Sequence, residues 1–308
     1  MEKSCYIIIN RTKGGELFMA VKILSDSACD LPDDIIEELD IEILPIVVIK
    51  GDEEYLDKIT IDPKDMYDEM RKGAVYKTAQ IPSTVFQEKF EEIAKSGDPA
   101  IYIAFSSGLS GTYQTSLIVK DSLKEKYPEM DLDIVDSKSA SVGFGILVHK
   151  AGKMAKEGKS KEEILKMLDF YVKHIEHIFT VDDMETLFRG GRVTRTQAFV
   201  GGLLSIKPVL DIPEDGTLRP IEKIRGRKKV MGRMIEIMDE RGGHADLKNQ
   251  IIGIDHGDDL EGALKLKELI EEKYGCTDFI INIIGSAIGA HSGPGTLSVF
   301  FLNEKYEE

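Results

Sequence analysis

The sequence predicts an α/β protein of two domains. The N-terminal one is a parallel-sheet α/β/α unit, and the C-terminal one is an α+β unit with a mixed or antiparallel sheet. Three observations predict this. At 308 residues the chain is longer than one hydrophobic core usually serves. From Val21 onward, short apolar runs alternate with helical stretches over short links, the pattern of parallel βαβ units. In the second half, two apolar runs flank Pro213-Glu214-Asp215-Gly216, whose Asp-Gly pair favours a hairpin.

Taken in order, Val21–Leu24 is a buried strand closed by Ser25-Asp26-Ser27. Pro32 and the acids after it open a helix through Leu39. Ile43–Ile49, rich in β-branched residues, is a second strand. Asp62-Pro63 starts a helix through Lys72, and Ser83 caps one through Ala94. Ala100–Phe105 is a strand leading through Ser106–Ser110 into a helix, and Leu132–Val135 is the next strand. Such a Rossmann-like sheet binds ligands at its carboxyl edge, where Ser25–Ser27, Ser106–Ser110 and Asp136–Ser141 fall. Beyond it come a helix over Lys161–Lys173, strands over His177–Val181, Pro208–Ile212, Leu218–Ile224 and Ile251–Asp255, a helix capped by Asp258-Asp259 through Tyr274, and strands over Phe279–Ile284 and Leu297–Leu302. A Gly-rich loop joins the last two. The domains are expected at 19–157 and 158–308, with the change in the Lys156–Lys159 stretch.

Residues 1–18 fit this pattern poorly. The codons for Lys13-Gly14-Gly15-Glu16 can spell AAA GGA GGT GAA, a ribosome-binding sequence just ahead of Met19. Translation is expected to start at Met19, with residues 1–18 a non-native or disordered extension; a genuine short tail is the alternative, and peptide mapping of natively expressed protein separates the two.

Composition narrows the function. With 42% hydrophobic and 31% charged residues the chain is globular, and its net charge of −15 argues against nucleic acid as a partner. No apolar run reaches the roughly 18 residues of a membrane span. Cys5, Cys29 and Cys276 are scattered and form neither a disulfide framework nor a zinc motif, which fits a reducing cytoplasm. Gly152…Gly158-Lys159-Ser160 misses the P-loop spacing by one residue, no GxGxxG follows a strand, and His174 with His177 lacks a third ligand. Neither a metal nor a cofactor is expected.

Four segments carry candidate chemistry. Lys77–Ser83 is a polar loop in which Ser83 reads as a helix cap but Thr78 does not. Phe105–Gln114 can aim Ser106, Ser107 and backbone N–H groups at an anion, or be a plain strand–helix junction with Ser110 as cap. Arg189, Arg192 and Arg195 surround a glycine pair and suit a phosphate or an acidic partner, as does the Arg225–Lys229 cluster unless it is a solvated turn. In the Gly285–Thr296 loop, His291 can donate to a carboxylate or phosphate, or be incidental.

Together, Ser25–Pro32, Thr78…Pro82-Ser83, Ser106–Gln114, Arg189-Gly190-Gly191-Arg192 and Gly289–Thr296 resemble the DegV family of bacterial fatty-acid-binding proteins, over essentially everything from Val21 to the C-terminus. The resemblance implies a non-catalytic, two-domain protein that holds one long-chain fatty acid such as palmitate between its domains and presents it to a separate ATP-using kinase subunit. It further implies that Thr78 and a serine of the Ser106-Ser107 pair, Ser107 by preference, hold the carboxylate, with His291 and Arg192 near the head group or the partner surface. The family loop usually reads Thr-Ser-Gln-Pro; here Ala79 replaces the serine and Ile81 is inserted before Pro82. Physical chemistry agrees with such a ligand. Burying a chain of about 16 carbons contributes on the order of 10 kcal/mol before ordering costs, and its carboxylate needs donors. The alternatives are a stand-alone phosphotransferase or hydrolase using Ser107 with His291, and a lipid sensor without a kinase.

Overall fold

In a computed structural model of the chain, residues 20–198, 206–243 and 245–307 are described. The expectations for residues 1–18 and for Met19 lie outside them. The first half runs β1 (Lys22–Asp26), α1 (Asp33–Glu38), β2 (Glu42–Leu44), β3 (Val47–Lys50), β4 (Glu53–Leu56), α2 (Pro63–Arg71), β5 (Lys77–Ala79), α3 (Ser83–Ser96), β6 (Ala100–Ala104), α4 (Thr112–Leu123) and β7 (Leu132–Asp136). A parallel sheet in the order β2-β1-β6-β7 forms its centre. β6 is buried along its whole length, as a strand covered on both faces must be.

The expected single strand over Ile43–Ile49 is two. Pro45 supplies no N–H and bends the chain, so β2 joins β1 in parallel while β3 leaves for a separate antiparallel sheet, β4-β3-β5. That small sheet was not anticipated, and it makes Thr78 a strand residue rather than part of a loop. Ser83 is also not the cap of α3. Pro82 occupies the cap position and no side chain bonds there, because proline presets the backbone at the helix start.

The second half runs α5 (Ser141–Lys156), α6 (Lys161–His174), β8 (Ile175–Thr180), α7 (Met184–Arg189), α8 (Arg195–Ala198), β9 (Ile206–Asp211), β10 (Arg219–Arg225), α9 (Arg227–Gly242), β11 (Ile252–His256), α10 (Leu260–Tyr274), β12 (Phe279–Ile283), α11 (Ser286–Ser292) and β13 (Leu297–Leu302). Its six-stranded mixed sheet has the order β10-β9-β8-β13-β11-β12, antiparallel except for β11 and β12. The β9–β10 hairpin forms around the Asp-Gly turn, and Asp259 caps α10 through Gly262 N at 3.0 Å, both as read from sequence. Within the Gly-rich stretch, by contrast, residues 286–292 form α11 rather than loop. Asp30 and Asp57 accept from the N–H groups of Gly285 and Ser286, each at 2.9 Å, so two carboxylates from the first half satisfy the donors that open this helix.

α5 joins the halves. It packs on β1 and also on β11 and β13, and most of its residues are buried. Small residues permit this: a Cβ at Gly143 would lie 2.5 Å from Phe300 Cδ1, and one at Gly145 would lie 2.5 Å from the Cys29 carbonyl oxygen. Lys156 ends α5 and Glu157–Lys159 form the turn after it, where we place the domain limits 19–157 and 158–308 as a proposal. A second core fills the far face of the mixed sheet under α9 and α10, with Met234, Met238, Leu266 and Phe301.

Candidate functional site

A cavity of about 240 Å³ lies between the two sheets. Ile46, Phe105, Leu109 and Ala140 line it from the first half, from β2's exit and the carboxyl edge of the parallel sheet. Phe179, Ile212, Leu218 and Phe300 line it from the mixed sheet, and Ala287 and Ile288 of α11 complete the wall. Most of this surface is apolar, so an extended hydrocarbon can replace water against it at about 25 cal/mol per Å².

Thr78, His291 and Arg192 form a polar cluster on it. Pairing with β3 carries Thr78 to the wall, and the seated N-terminus of α11 carries His291 there one and a half turns later. Thr78 Oγ1 and His291 Nε2 are 2.7 Å apart. His291 is 9% exposed; burial, and then the Arg192 charge, lower its pKa to about 3, so the ring is neutral near pH 7. Its Nδ1 has no partner. When Nε2–H donates to Thr78, the threonine proton is left for a ligand; in the other tautomer the threonine donates to the ring.

Arg192 is the third member. Its Nε donates to Leu109 O at 3.1 Å and its guanidinium donates to Gly190 O at 2.6 Å. No carboxylate of the described residues pairs with it, although burial lowers its pKa from the usual range. A guanidinium stays charged regardless, so the cavity wall holds an unpaired cation beside a hydroxyl and a neutral imidazole. Gly190 is required here: a Cβ on it would collide with His291 Nδ1. The Arg-Gly-Gly-Arg turn thus packs its backbone on the histidine.

The other expected residues lie elsewhere. Ser106 Oγ donates to Gly216 O at 2.8 Å, fastening the β9–β10 hairpin to the first half. Ser107 Oγ accepts from Lys138 Nζ at 2.7 Å, and that lysine pairs with Asp136 at 2.9 Å. Neither serine lines the cavity. The serine that does is Ser110, whose Oγ accepts from Thr112 N at 3.2 Å. Sequence reasoning took Ser110 only as a helix cap; its place at the end of the βα loop was the available signal. Ala79 lines the wall, while Ile81 is fully buried in the first-half core, so the inserted residue is spent on packing and Thr78 still reaches the cavity.

The three arginines part company. Arg189, exposed at the end of α7, lines a second, outer cleft of about 640 Å³ with Arg71, Lys207 and Arg227. Arg195 is exposed at the start of α8. Among the described residues no three His, Cys, Asp or Glu side chains gather as a metal site, and no helix is long and apolar enough to cross a membrane.

The family model described as "Uncharacterised protein, DegV family" matches residues 20–304. The chain belongs to the DegV family. A DegV domain-containing protein of Clostridium perfringens is 42% identical over 287 residues, covering 92% of this chain and 98% of that relative. Among solved structures, DegV, a fatty acid binding protein from Bacillus subtilis, is 32% identical with a TM-score of 0.80, covering 92% of this chain and 98% of that one. A DegV family protein from Thermus thermophilus, its structure described as one of fatty acid binding, is 28% identical with a TM-score of 0.82, covering 92% and 99%. The fold found here, a parallel four-stranded sheet and a separate mixed sheet, is that of these DegV proteins.

Proposed function

We propose that this chain binds one long-chain fatty acid, tail in the cavity between the sheets and carboxylate at Thr78, Arg192 and His291, and presents it to a separate ATP-dependent kinase subunit that forms the acyl phosphate. The observation that carries the reading is the Arg192 guanidinium, paired with no carboxylate of the described residues, on a mostly apolar cavity wall.

 

The wall is mostly apolar and carries, among the described residues, one cation without a carboxylate partner. A tail gains by leaving water there, and a carboxylate would neutralise the guanidinium in a charge-assisted pair.

The alternative of a stand-alone hydrolase or phosphotransferase has less support. Ser107 is bonded to Lys138 and His291 to Thr78, so the nucleophile–base pair that reading needs is not assembled. Native mass spectrometry of the purified protein, before and after delipidation, tests the binding reading: a long-chain acid should co-purify and rebind one to one. An empty protein that takes up no acid, or that turns over ATP or an ester alone, would count against it. The kinase step is tested separately, by adding the loaded protein to candidate kinase subunits with ATP and following acyl phosphate.

A further inference from the structure

A second polar feature of the cavity takes no part in the head-group cluster. Asp255 lines the wall from β11 and is fully buried. Neither of its carboxyl oxygens has a hydrogen-bond partner, and no cation of the described residues pairs with it. Its cross-strand neighbour on β13 is Ser298, which lines the same wall, as does Ser141 at the start of α5. The Ser141 hydroxyl donates to Asp30. His177, across β13 on β8, also faces the cavity, with its Nε2 paired to Ser139 Oγ at 2.6 Å. An acceptor left without a donor in a buried site is costly, and the donor that completes it must come from what fills the cavity.

We propose that Asp255 and Ser298 form a second polar contact that accepts a hydroxyl group carried along the acyl chain, so that the ligands include hydroxylated long-chain acids. This rests on the fatty-acid reading above. A hydroxyl matches the pair: it donates to the Asp255 carboxyl and accepts from the Ser298 hydroxyl. A plain hydrocarbon brings no donor to the Asp255 carboxyl oxygens. A second carboxylate on the ligand would meet the Asp255 carboxylate, and an ammonium would lose far more hydration than a hydroxyl on entering an apolar cavity.

The test is a matched set of octadecanoic acid and its positional hydroxy isomers, with dissociation constants measured by isothermal titration on delipidated protein. For at least one isomer the wild type should bind the hydroxy acid as tightly as the parent. In Asp255→Leu the ratio of the two affinities should fall about tenfold, the size of one hydrogen bond. Ser298→Ala should lower the same ratio less, and serves if Asp255→Leu does not fold. Equal discrimination against every isomer in wild type and variants would overturn the inference while leaving the fatty-acid reading intact. Failure of the wild type to bind the parent acid would overturn both.

Discussion

At the scale of single residues, the site is a matter of which hydroxyl faces the cavity. Thr78 and Ser110 do, while Ser107 is held by Lys138 on the other side of its loop. Thr78→Val should weaken fatty-acid binding about tenfold, as loss of one hydrogen bond to a charged group does, Ser110→Ala, which removes a hydroxyl from the cavity wall, should weaken it less, and Ser107→Ala should leave it within about twofold. Titration of the three variants with palmitate checks this; a large loss in Ser107→Ala alone would restore the serine preferred from sequence. Gly190→Ala should push His291 off Thr78 and cost about 1–3 kcal/mol of stability, read from urea unfolding. The histidine and Arg192 were legible in the sequence because a lone His in a Gly-rich stretch and arginines around a glycine pair are unusual on an acidic chain. Ser110 was not, because a serine before a helix has an ordinary use as a cap.

At the scale of elements, strands were easier to read than helices. β1, β6, β7, β8, β11, β12 and β13 announce themselves as short β-branched runs between turns. α5 does not, because it is buried on nearly every side and so carries no polar stripe to give a 3.6-residue period. α9 begins inside a basic cluster that reads as a turn, and α11 inside a glycine-rich stretch. The split at Pro45 was visible in the residue but not in the β-branched run around it. The burial of α5 also sets a prediction: Gly145→Ala must displace either the helix or the Cys29 backbone, and should cost about 1–3 kcal/mol in urea unfolding, whereas Gly232→Ala, inside α9 with open space at its Cβ position, should be neutral or stabilising.

At the scale of the whole molecule, the first half buries, among the described residues, three acids, two of which, Asp30 and Asp57, hold the second half through α11. Asp26 is fully buried, bonded to Tyr102 Oη at 3.0 Å and Phe105 N at 2.9 Å, and burial raises its pKa to about 7. Asp30 and Asp57, which seat α11, are raised for the same reason. A carboxyl whose folded pKa lies above its unfolded value binds a proton on folding. Its contribution is therefore present below about pH 4 and is lost as pH rises toward about 7. His291, lowered to about 3, acts in the opposite sense: its contribution is present above about 6.5 and is lost as pH falls. Asp26→Asn should flatten the decline in stability between about pH 4 and 7, measured by urea unfolding across that range; an unchanged slope would place the titration elsewhere.

The account stands on a fatty acid lying between the sheets with its carboxylate at Thr78 and Arg192. A crystal structure of the protein with palmitate tests that most directly. The carboxylate is predicted within hydrogen-bond distance of Thr78 Oγ1 and the Arg192 guanidinium, with the chain running along Phe105, Phe179 and Phe300. A carboxylate bound anywhere else, or a cavity that stays closed to the acid, would contradict it.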